Sequence, residues 1–269
     1  MGESVKEVLA RQRMTPELQA NIGDQTALAR LGLALMRWIE YRNLKYSTVG
    51  NPPVYDTRTF PWASEVEAAT PAIRAELDRL LVRRDELPGF HEIARDVEAI
   101  SVDTNWRTFM LCGYGHVSEE ATRLCPETWH ALRHIPGLKA AMFSIFEPGK
   151  HLPPHRGPYN GVLRFHLGLK VPKTGDVAIR IADQVCRWEE GKALIFDDAY
   201  RHEAWNYSDE VRVVLFVDFA KPERFPGSLL NGAMLWIARW TPFIREGYAA
   251  QKRWERIFFG RHDADKAAH

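Results

Sequence analysis

A series of short apolar or alternating segments between residues 106 and 219 limits the fold more than any other feature of the sequence. The segments recur at roughly ten-residue spacing and are separated by turn signals such as Pro148-Gly149 and Glu190-Gly191. The predicted strands cover residues 106–112, 140–147, 162–170, 177–181, 193–197, 202–206 and 212–219. Short strands at this spacing predict a β sandwich or barrel as the core.

Helical periodicity lies on both sides of the β region. The predicted helical segments are 25–44, 64–84 and a segment near 91–100, followed after the strands by 226–259, with an interruption at Pro242. The pattern therefore predicts a mainly β protein with flanking helices.

The order of these segments suggests one structural domain in three parts. Residues 1–100 form an N-terminal helical region, residues 101–222 the core, and residues 223–269 a C-terminal helical extension. Residues 1–24 show no clear periodicity, and we expect them to be loosely ordered.

Composition excludes several classes of protein. The chain has 36 Lys and Arg against 35 Asp and Glu, a balance that argues against a nucleic-acid partner. Its three cysteines, Cys112, Cys125 and Cys186, lack the spacing of a disulfide framework or a thiolate zinc site, which favours a cytoplasmic protein. The longest charge-free apolar stretch, 226–238, is shorter than the ~20 residues of a membrane-spanning helix, although it could lie on a membrane surface.

The residues that could bind a ligand or take part in a reaction lie between 144 and 218. This region contains four of the ten histidines: His151, His155, His166 and His202. His155 and His202 lie next to predicted strands, and Arg212 lies in an apolar run, where a buried guanidinium would need an anion. Alternatively, Arg212 faces solvent or pairs with Asp209 or Asp218.

Two strand-borne histidines followed by an arginine are similar to the double-stranded β-helix oxygenases that use Fe(II) and 2-oxoglutarate. Those enzymes usually add a carboxylate ligand two residues after the first histidine. The corresponding residue here is Gly157, so the general motif is incomplete.

The residues around these positions form a more specific pattern than the general oxygenase motif. The segments Pro154-His155-Arg156-Gly157-Pro158, Leu163-Arg164-Phe165-His166-Leu167-Gly168-Leu169, Trp188-Glu189-Glu190-Gly191-Lys192 and Ile195-Phe196-Asp197-Asp198 resemble the aspartyl/asparaginyl β-hydroxylase family. The resemblance extends over residues 100–222. The family also includes bacterial lipid A hydroxylases, which resemble this chain over the same region. It implies a double-stranded β-helix core of the jelly-roll or cupin type.

The resemblance also implies an iron site. His155 and His202 match the two iron-binding histidines of the family. Gly157 matches the position where the aspartyl/asparaginyl hydroxylases lack a carboxylate and water completes the iron shell. Lipid A hydroxylases tend to carry Asp there, so this position favours the first branch. An open position would also admit a halide, as in related iron halogenases.

A cosubstrate site is implied as well. Arg212 matches the arginine that pairs with the distal carboxylate of 2-oxoglutarate, and Ser144 matches its hydroxyl partner. Arg164 and His166 match residues around the proximal carboxylate and the iron. They lie two positions apart, so on a strand they share a face.

The resemblance therefore implies a dioxygenase that uses Fe(II), 2-oxoglutarate and O2 and releases succinate and CO2 on hydroxylating a C–H bond. We expect an aspartyl-type, peptide or other polar small-molecule substrate. The alternatives are acyl-chain hydroxylation of a lipid at the membrane surface, or a non-catalytic β-barrel binding module.

The C-terminal region is rich in aromatic residues interleaved with basic ones. The aromatic residues are Trp236, Trp240, Phe243, Trp254, Phe258 and Phe259. Such a pattern is typical of helices that pack on a core, form a homodimer contact, or bind a membrane surface peripherally.

Overall fold

The computed structural model describes residues 3–12 and 27–267. The helices are α1 (Val5–Arg11), α2 (Ala27–Tyr46), α3 (Trp62–Ala68), α4 (Thr70–Leu81), α5 (Phe90–Ile93), α6 (Glu119–Leu124), α7 (Pro126–Leu132), α8 (Gly227–Ala238) and α9 (Pro242–Ala267). Short 3-10 helices cover Thr57–Thr59, Arg84–Glu86 and Arg95–Ala99.

The strands are β1 (Val54–Tyr55), β2 (Trp106–Gly113), β3 (His116–Val117), β4 (Leu138–Phe146), β5 (His151–His155), β6 (Val162–Lys170), β7 (Asp176–Ile181), β8 (Gln184–Cys186), β9 (Ala193–Phe196), β10 (His202–Tyr207) and β11 (Arg212–Ala220). They form a seven-stranded sheet in the order β1-β9-β6-β11-β4-β2-β3 and a four-stranded sheet in the order β5-β10-β7-β8. Strands β4 to β11 pass repeatedly between the two sheets in the jelly-roll order, which confirms the predicted double-stranded β-helix.

Strand β11 shows how the two faces of the large sheet are used. Val213, Leu215, Val217 and Phe219 belong to the core between this sheet and the helices, whereas Val214 and Phe216 belong to a second core inside the barrel. The alternation places Arg212 and Asp218 on the barrel side. Because both faces are buried, the strand reads as a nearly continuous apolar run.

Strand β5 was absent from the predicted strands because Pro153 and Pro154 lie within it. The structure places it at the edge of the four-stranded sheet, where it pairs with β10 alone. Proline is tolerated at an edge because the missing N–H is not needed by a second neighbour. His155 is therefore the last residue of a strand rather than part of a loop.

The expectation of loose order was wrong for the described part of residues 1–24. Residues 3–12 contain α1, which begins with a capping box in which Ser4 and Glu7 satisfy each other's backbone N–H groups. Val8 is buried, and Gln12 donates to Asp197 in the core. Residues 13–24 lie outside the described residues.

Two predicted helices are divided. The segment 64–84 forms α3 and α4, which meet at Ala69, and the segment near 91–100 forms the short α5 and a 3-10 helix. No helix in the described ranges is both long and apolar enough to cross a bilayer.

Candidate active site

The six side chains predicted to form the site line one small cavity of about 30 Å³ between the two sheets. They are Ser144, His155, Arg164, His166, His202 and Arg212. Four come from β4, β6 and β11 of the larger sheet, and the histidine pair comes from β5 and β10 of the smaller one. The jelly roll therefore brings together residues that lie up to 68 positions apart, the interval from Ser144 to Arg212.

His155 and His202 are direct cross-strand neighbours, and their ring centroids lie 4.2 Å apart. Nδ1 of His155 lies 2.8 Å from the Pro153 carbonyl oxygen. Nδ1 of His202 lies 2.9 Å from the Tyr200 carbonyl oxygen. Since a carbonyl can only accept, Nδ1 carries the proton in both rings and Nε2 keeps the lone pair. The backbone thus holds both imidazoles in the tautomer that binds a metal through Nε2.

Burial keeps both imidazoles neutral. It lowers the pKa of His155 to about 4, and the charge of Arg164 adds to the shift. Burial also lowers the pKa of His202 well below its usual value, with further contributions from His155 and Arg164. A neutral imidazole is the form that binds a divalent transition metal, so the pair fits such an ion. Within residues 3–12 and 27–267, no three or more His, Cys, Asp or Glu side chains are grouped to hold one.

His166 carries its proton on the other nitrogen. The Trp188 indole N–H donates to His166 Nδ1 at 3.3 Å, which requires the His166 proton on Nε2. This Nε2 is buried and has no hydrogen-bond partner. Burial, with Arg164 and Arg212 nearby, lowers the pKa of His166 well below its usual value. His166 is therefore a neutral donor without an acceptor, and its chemistry suits an anion rather than a metal.

Arg164 is held by two carboxylates. Its Nε and Nη2 bind Asp218, the residue directly opposite on β11, at 2.8 and 3.1 Å. Nη2 also lies 2.8 Å from Asp198 Oδ2, and the guanidinium stacks on the Phe216 ring. Burial alone would lower the pKa of Arg164, but the two carboxylates raise it. The forked pairing fixes the guanidinium in one orientation.

Arg212 is buried without a carboxylate. Its side chain lies over the rings of Phe146 and Trp188, with the guanidinium carbon 3.7 and 4.6 Å from the ring centroids. Its one protein hydrogen bond among the described residues goes to the Ser144 carbonyl oxygen, at 3.4 Å. Burial lowers the pKa of Arg212 to about 9. A cation placed in this way is costly unless an anion joins it.

The alternative interpretations of Arg212 were wrong. The residue is 2% exposed, so it does not face solvent. Neither Asp209 nor Asp218 pairs with it, because Asp218 binds Arg164. Arg212 therefore keeps its donor groups available beside the small cavity.

Two tryptophans hold predicted donors in place. Trp188 fixes His166 as described above, and the Trp106 indole N–H donates to Ser144 Oγ at 3.0 Å. Because Ser144 Oγ accepts this bond, its own proton remains free to be donated. Ser144 is 2% exposed, so that proton can reach only groups inside the barrel.

Asp198, Asp218 and Trp188 have roles in the site that the sequence did not predict. The alternation along β11 offers a signal for Asp218, because it lies six residues after Arg212 and shares its face. Trp188 follows β8 in a segment without periodicity. Asp198 follows Asp197, which caps a turn by accepting from the Ala199 N–H, whereas Asp198 pairs with Arg164.

The position of Asp198 also explains why residue 157 is a glycine. The Gly157 N–H donates to the Asp198 carbonyl at 2.7 Å, and a Cβ at position 157 would overlap the Asp198 carboxylate. Burial raises the pKa of Asp198 to about 7, although the charge of Arg164 opposes the shift. A carboxylate from the β9–β10 loop therefore occupies the space into which a side chain at position 157 would extend.

This contact predicts that Gly157→Ala destabilises the protein by about 1–3 kcal/mol, because an extra methyl group in a filled site forces a shift of Asp198. Urea unfolding of the purified protein measures the change. Gly232→Ala is the matched control, since a Cβ there meets nothing within 4 Å on helix α8. Equal stability of the Gly157→Ala protein and the wild type would show that the Asp198 carboxylate does not occupy this space.

A larger cavity of about 1080 Å³ adjoins the small one. Trp106, His155, Arg164 and Phe216 line both. Apolar side chains make up much of its wall: Ile93, Val97, Ile100, Met110, Met142 and Ile244. His155 therefore lies at the junction between the small cavity, which contains Ser144, His166 and Arg212, and the larger, mainly apolar one.

Comparison with known proteins connects this site to a family. The profile of the aspartyl/asparaginyl beta-hydroxylase family matches residues 67–222. The chain is 58% identical over 240 residues to the ornithine lipid ester-linked acyl 2-hydroxylase of Rhizobium tropici, covering 89% of this chain and 85% of that protein. It is 32% identical over 223 residues to the human aspartyl/asparaginyl beta-hydroxylase, covering 77% of this chain and 29% of that protein.

A solved structure gives a more distant comparison. A Cupin 2 conserved barrel domain protein from Salinispora arenicola aligns with 50% of this chain and 89% of its own, at 12% identity and a TM-score of 0.30.

The jelly-roll fold and the family match define this protein as a hydroxylase of the double-stranded β-helix class. It belongs to the aspartyl/asparaginyl beta-hydroxylase family.

Proposed function

We propose that this protein is an Fe(II)/2-oxoglutarate-dependent dioxygenase that hydroxylates the 2-position of the ester-linked acyl chain of an ornithine lipid. The observation that carries the oxygenase assignment is the pair of neutral imidazoles, His155 and His202, beside the buried and unpaired Arg212. The lipid assignment depends on the 58% identity to the Rhizobium tropici enzyme.

His155 and His202 would hold the iron. Both rings keep their Nε2 lone pairs available, and neutral imidazole suits Fe(II). Asp198, beside Gly157, would accept hydrogen bonds from water next to the pair. With 2-oxoglutarate and O2, the bound iron would supply the oxidation that inserts one oxygen atom into a C–H bond while 2-oxoglutarate becomes succinate and CO2.

The small cavity would hold 2-oxoglutarate. The cosubstrate is a dianion, and Arg212 with the Ser144 hydroxyl offers a charged and a neutral donor to its distal carboxylate. His166 Nε2–H and Arg164 would orient the end near the histidines. Phe146 and Trp188 cover the guanidinium of Arg212 and exclude water, which strengthens its attraction for a carboxylate.

The larger cavity would hold the acyl chain. Its apolar wall suits methylene groups, and its polar end at Arg164, Asp198 and Asp218 lies beside the histidine pair. A chain lying along this wall with its ester end toward the polar groups would bring its 2-position close to His155 and His202.

Val97→Trp, which narrows this wall, should reduce lipid turnover without weakening binding of iron or 2-oxoglutarate.

An aspartyl-type or other polar substrate is the second candidate, and the 32% identity to the human family member favours it. The mainly apolar wall of the large cavity favours the lipid. A non-catalytic binding module is the least supported of the three functional hypotheses. All six side chains implied by the family resemblance are present and line one cavity.

The test supplies the protein with Fe(II), 2-oxoglutarate and O2 and compares a purified ornithine lipid with an aspartyl-containing peptide. We expect succinate release that depends on the lipid, and one added oxygen atom in the lipid mass. Mild ester hydrolysis then separates the two acyl chains, so the amide-linked chain serves as an internal control. Oxygen on the amide-linked chain, or turnover of the peptide alone, would contradict the proposal.

A further inference from the structure

We propose that the exposed face of helix α8 and its junction with α9 dock onto a bilayer that contains anionic lipids. This places the mouth of the large cavity against the lipid surface, so that an acyl chain passes from the membrane into the cavity without crossing water. The proposal rests on the proposed lipid substrate, but the docking itself is measured independently of catalysis.

The structure divides the C-terminal aromatic residues into two groups. Trp254 and Phe258 of α9 pack in the core, where the Trp254 indole N–H donates to the Glu86 carbonyl at 3.0 Å. Trp236 and Trp240 instead are 60% and 59% exposed. Packing on the core therefore accounts for Trp254 and Phe258 and leaves the exposure of Trp236 and Trp240 unexplained.

One face of α8 is apolar and open to solvent. Leu229, Trp236 and Ile237 are 63%, 60% and 54% exposed, and they recur at positions i, i+7 and i+8 of a single helical face. The opposite face is buried through Asn231 and Leu235. Large exposed apolar patches on otherwise well-packed proteins mark interaction surfaces.

The segment that forms this face carries basic charges between two flanking acidic residues, Glu223 and Glu246. Residues 224–245 contain three arginines, Arg224, Arg239 and Arg245, and no acidic residue. The Arg239 guanidinium lies over the Trp240 ring, 5.1 Å from its centroid. Tryptophan and arginine side by side are typical of helices at the lipid headgroup level, where the indole enters the interface and the cation meets phosphate.

A neighbouring helix adds to the surface. On α2, Leu31, Leu35 and Trp38 are 66%, 54% and 45% exposed and recur at positions i, i+4 and i+7. The Arg42 guanidinium lies 4.7 Å from the Trp38 ring centroid. Helices α2 and α8 contact each other directly, so two basic and aromatic faces lie on adjacent helices.

The surface extends to residues that adjoin the large cavity. The Arg239 guanidinium lies 3.3 Å from the position that a Cβ of Gly115 would occupy, and the neighbours of Gly115, Tyr114 and His116, line the cavity. Beyond the α8–α9 junction, Tyr248 lines the cavity and stacks on His116 with 4.0 Å between ring centroids.

A hydrogen-bond link joins the cavity wall to both helices. The Tyr159 hydroxyl, beside the cavity, donates to Asn231 of α8 at 3.0 Å and accepts from Asn43 of α2 at 2.9 Å. Tyr159 therefore ties α2 and α8, the two helices of the docking face, to the wall of the large cavity.

The charge pattern favours a bilayer over a second copy of this chain. In a two-fold dimer through α8 the same basic face would lie on both sides of the interface, and like charges across an interface are unfavourable. The phosphates of an anionic lipid surface instead complement them.

The experiment is flotation of the purified full-length protein with vesicles, one set made of phosphatidylcholine and the other of equal parts phosphatidylcholine and phosphatidylglycerol. We expect binding to the anionic vesicles at low salt and release as salt is added. Trp236→Ser combined with Trp240→Ser should weaken binding about tenfold or more, since two large side chains leave the interface. Arg239→Ser combined with Arg245→Ser should weaken it by a similar factor on anionic vesicles only.

Tyr207→Ser is the matched control, because Tyr207 is 50% exposed on the four-stranded sheet, outside this face. It should bind vesicles as the wild type does. In all variants, turnover of detergent-dispersed lipid should persist, while the docking variants lose turnover of the same lipid in vesicles. Absence of wild-type binding, or full binding by the Trp double variant, would refute the docking face. Conversion of a dimer to a monomer by that variant, without vesicle binding, would show that a second copy occupies it.

Discussion

His202→Ala is expected to abolish turnover and to weaken Fe(II) binding by more than about 100-fold, since losing an orienting partner of a metal ligand alone costs 10- to 100-fold. The site offers two imidazoles, so removing one leaves half of the protein ligands. The side chain is also held by the Tyr200 carbonyl, and no neighbouring histidine with a free Nε2 can replace it, because His166 carries its proton there. Anaerobic calorimetric titration with Fe(II) and a succinate assay measure the two effects.

His151→Ala is the matched control. His151 lies on the same strand as His155, but its side chain is 41% exposed and pairs with Glu203 outside the barrel. Its removal should leave iron binding and turnover unchanged. If the His202→Ala protein released succinate at the wild-type rate, the metal would have to lie elsewhere.

Arg212→Met is expected to have two opposite effects. In the free protein it replaces a buried, unpaired charge with an apolar side chain between Phe146 and Trp188, which should raise the free energy of unfolding by about 1–4 kcal/mol. The same substitution removes the cation that would meet the distal carboxylate. The requirement for 2-oxoglutarate should rise about 30-fold or more, because losing one member of a buried ion pair costs about 2–5 kcal/mol.

Thermal unfolding with and without 2-oxoglutarate, in the presence of a redox-inert divalent metal, separates these effects. The wild type should gain stability from the cosubstrate, whereas the Arg212→Met protein should start higher and gain little. Arg180→Met is the control, since Arg180 is about half exposed and pairs with Glu203 on the four-stranded sheet, outside the barrel. Unchanged affinity for 2-oxoglutarate in the Arg212→Met protein, with metal binding intact, would remove Arg212 from the cosubstrate site.

The proposed lipid substrate and the docking face of α8 depend on different measurements. Substrate identity is decided by where the added oxygen lies in the product, and docking by vesicle flotation. A protein that hydroxylates dispersed lipid without binding vesicles would keep the first proposal and lose the second. A protein that binds vesicles but hydroxylates a peptide would do the reverse.

Local patterns carried much of the fold. The apolar runs of β4, β6 and β11 and the helical period of α2 and α9 are visible in the sequence, because each element must present apolar side chains to a core. Strand β5 was not predicted, because two prolines are a local signal against a strand. Only the sheet order shows that this strand lies at an edge, where proline is tolerated. The division of the C-terminal aromatic residues into a packed group and an exposed group likewise depends on where each helix meets the barrel.

The sequence by itself determined the double-stranded β-helix and the identities of six of the side chains that line the small cavity, since these follow from residue type, strand period and family resemblance. Only the tertiary structure decided which nitrogen of each histidine is free, that Asp218 binds Arg164 and leaves Arg212 unpaired, and that Asp198 lies where a side chain at Gly157 would extend. The physical reason is that proton positions, ion pairs and close packing depend on the cross-strand register and on how closely loops approach the strands. These contacts join residues far apart in the chain, so a local sequence pattern does not predict them.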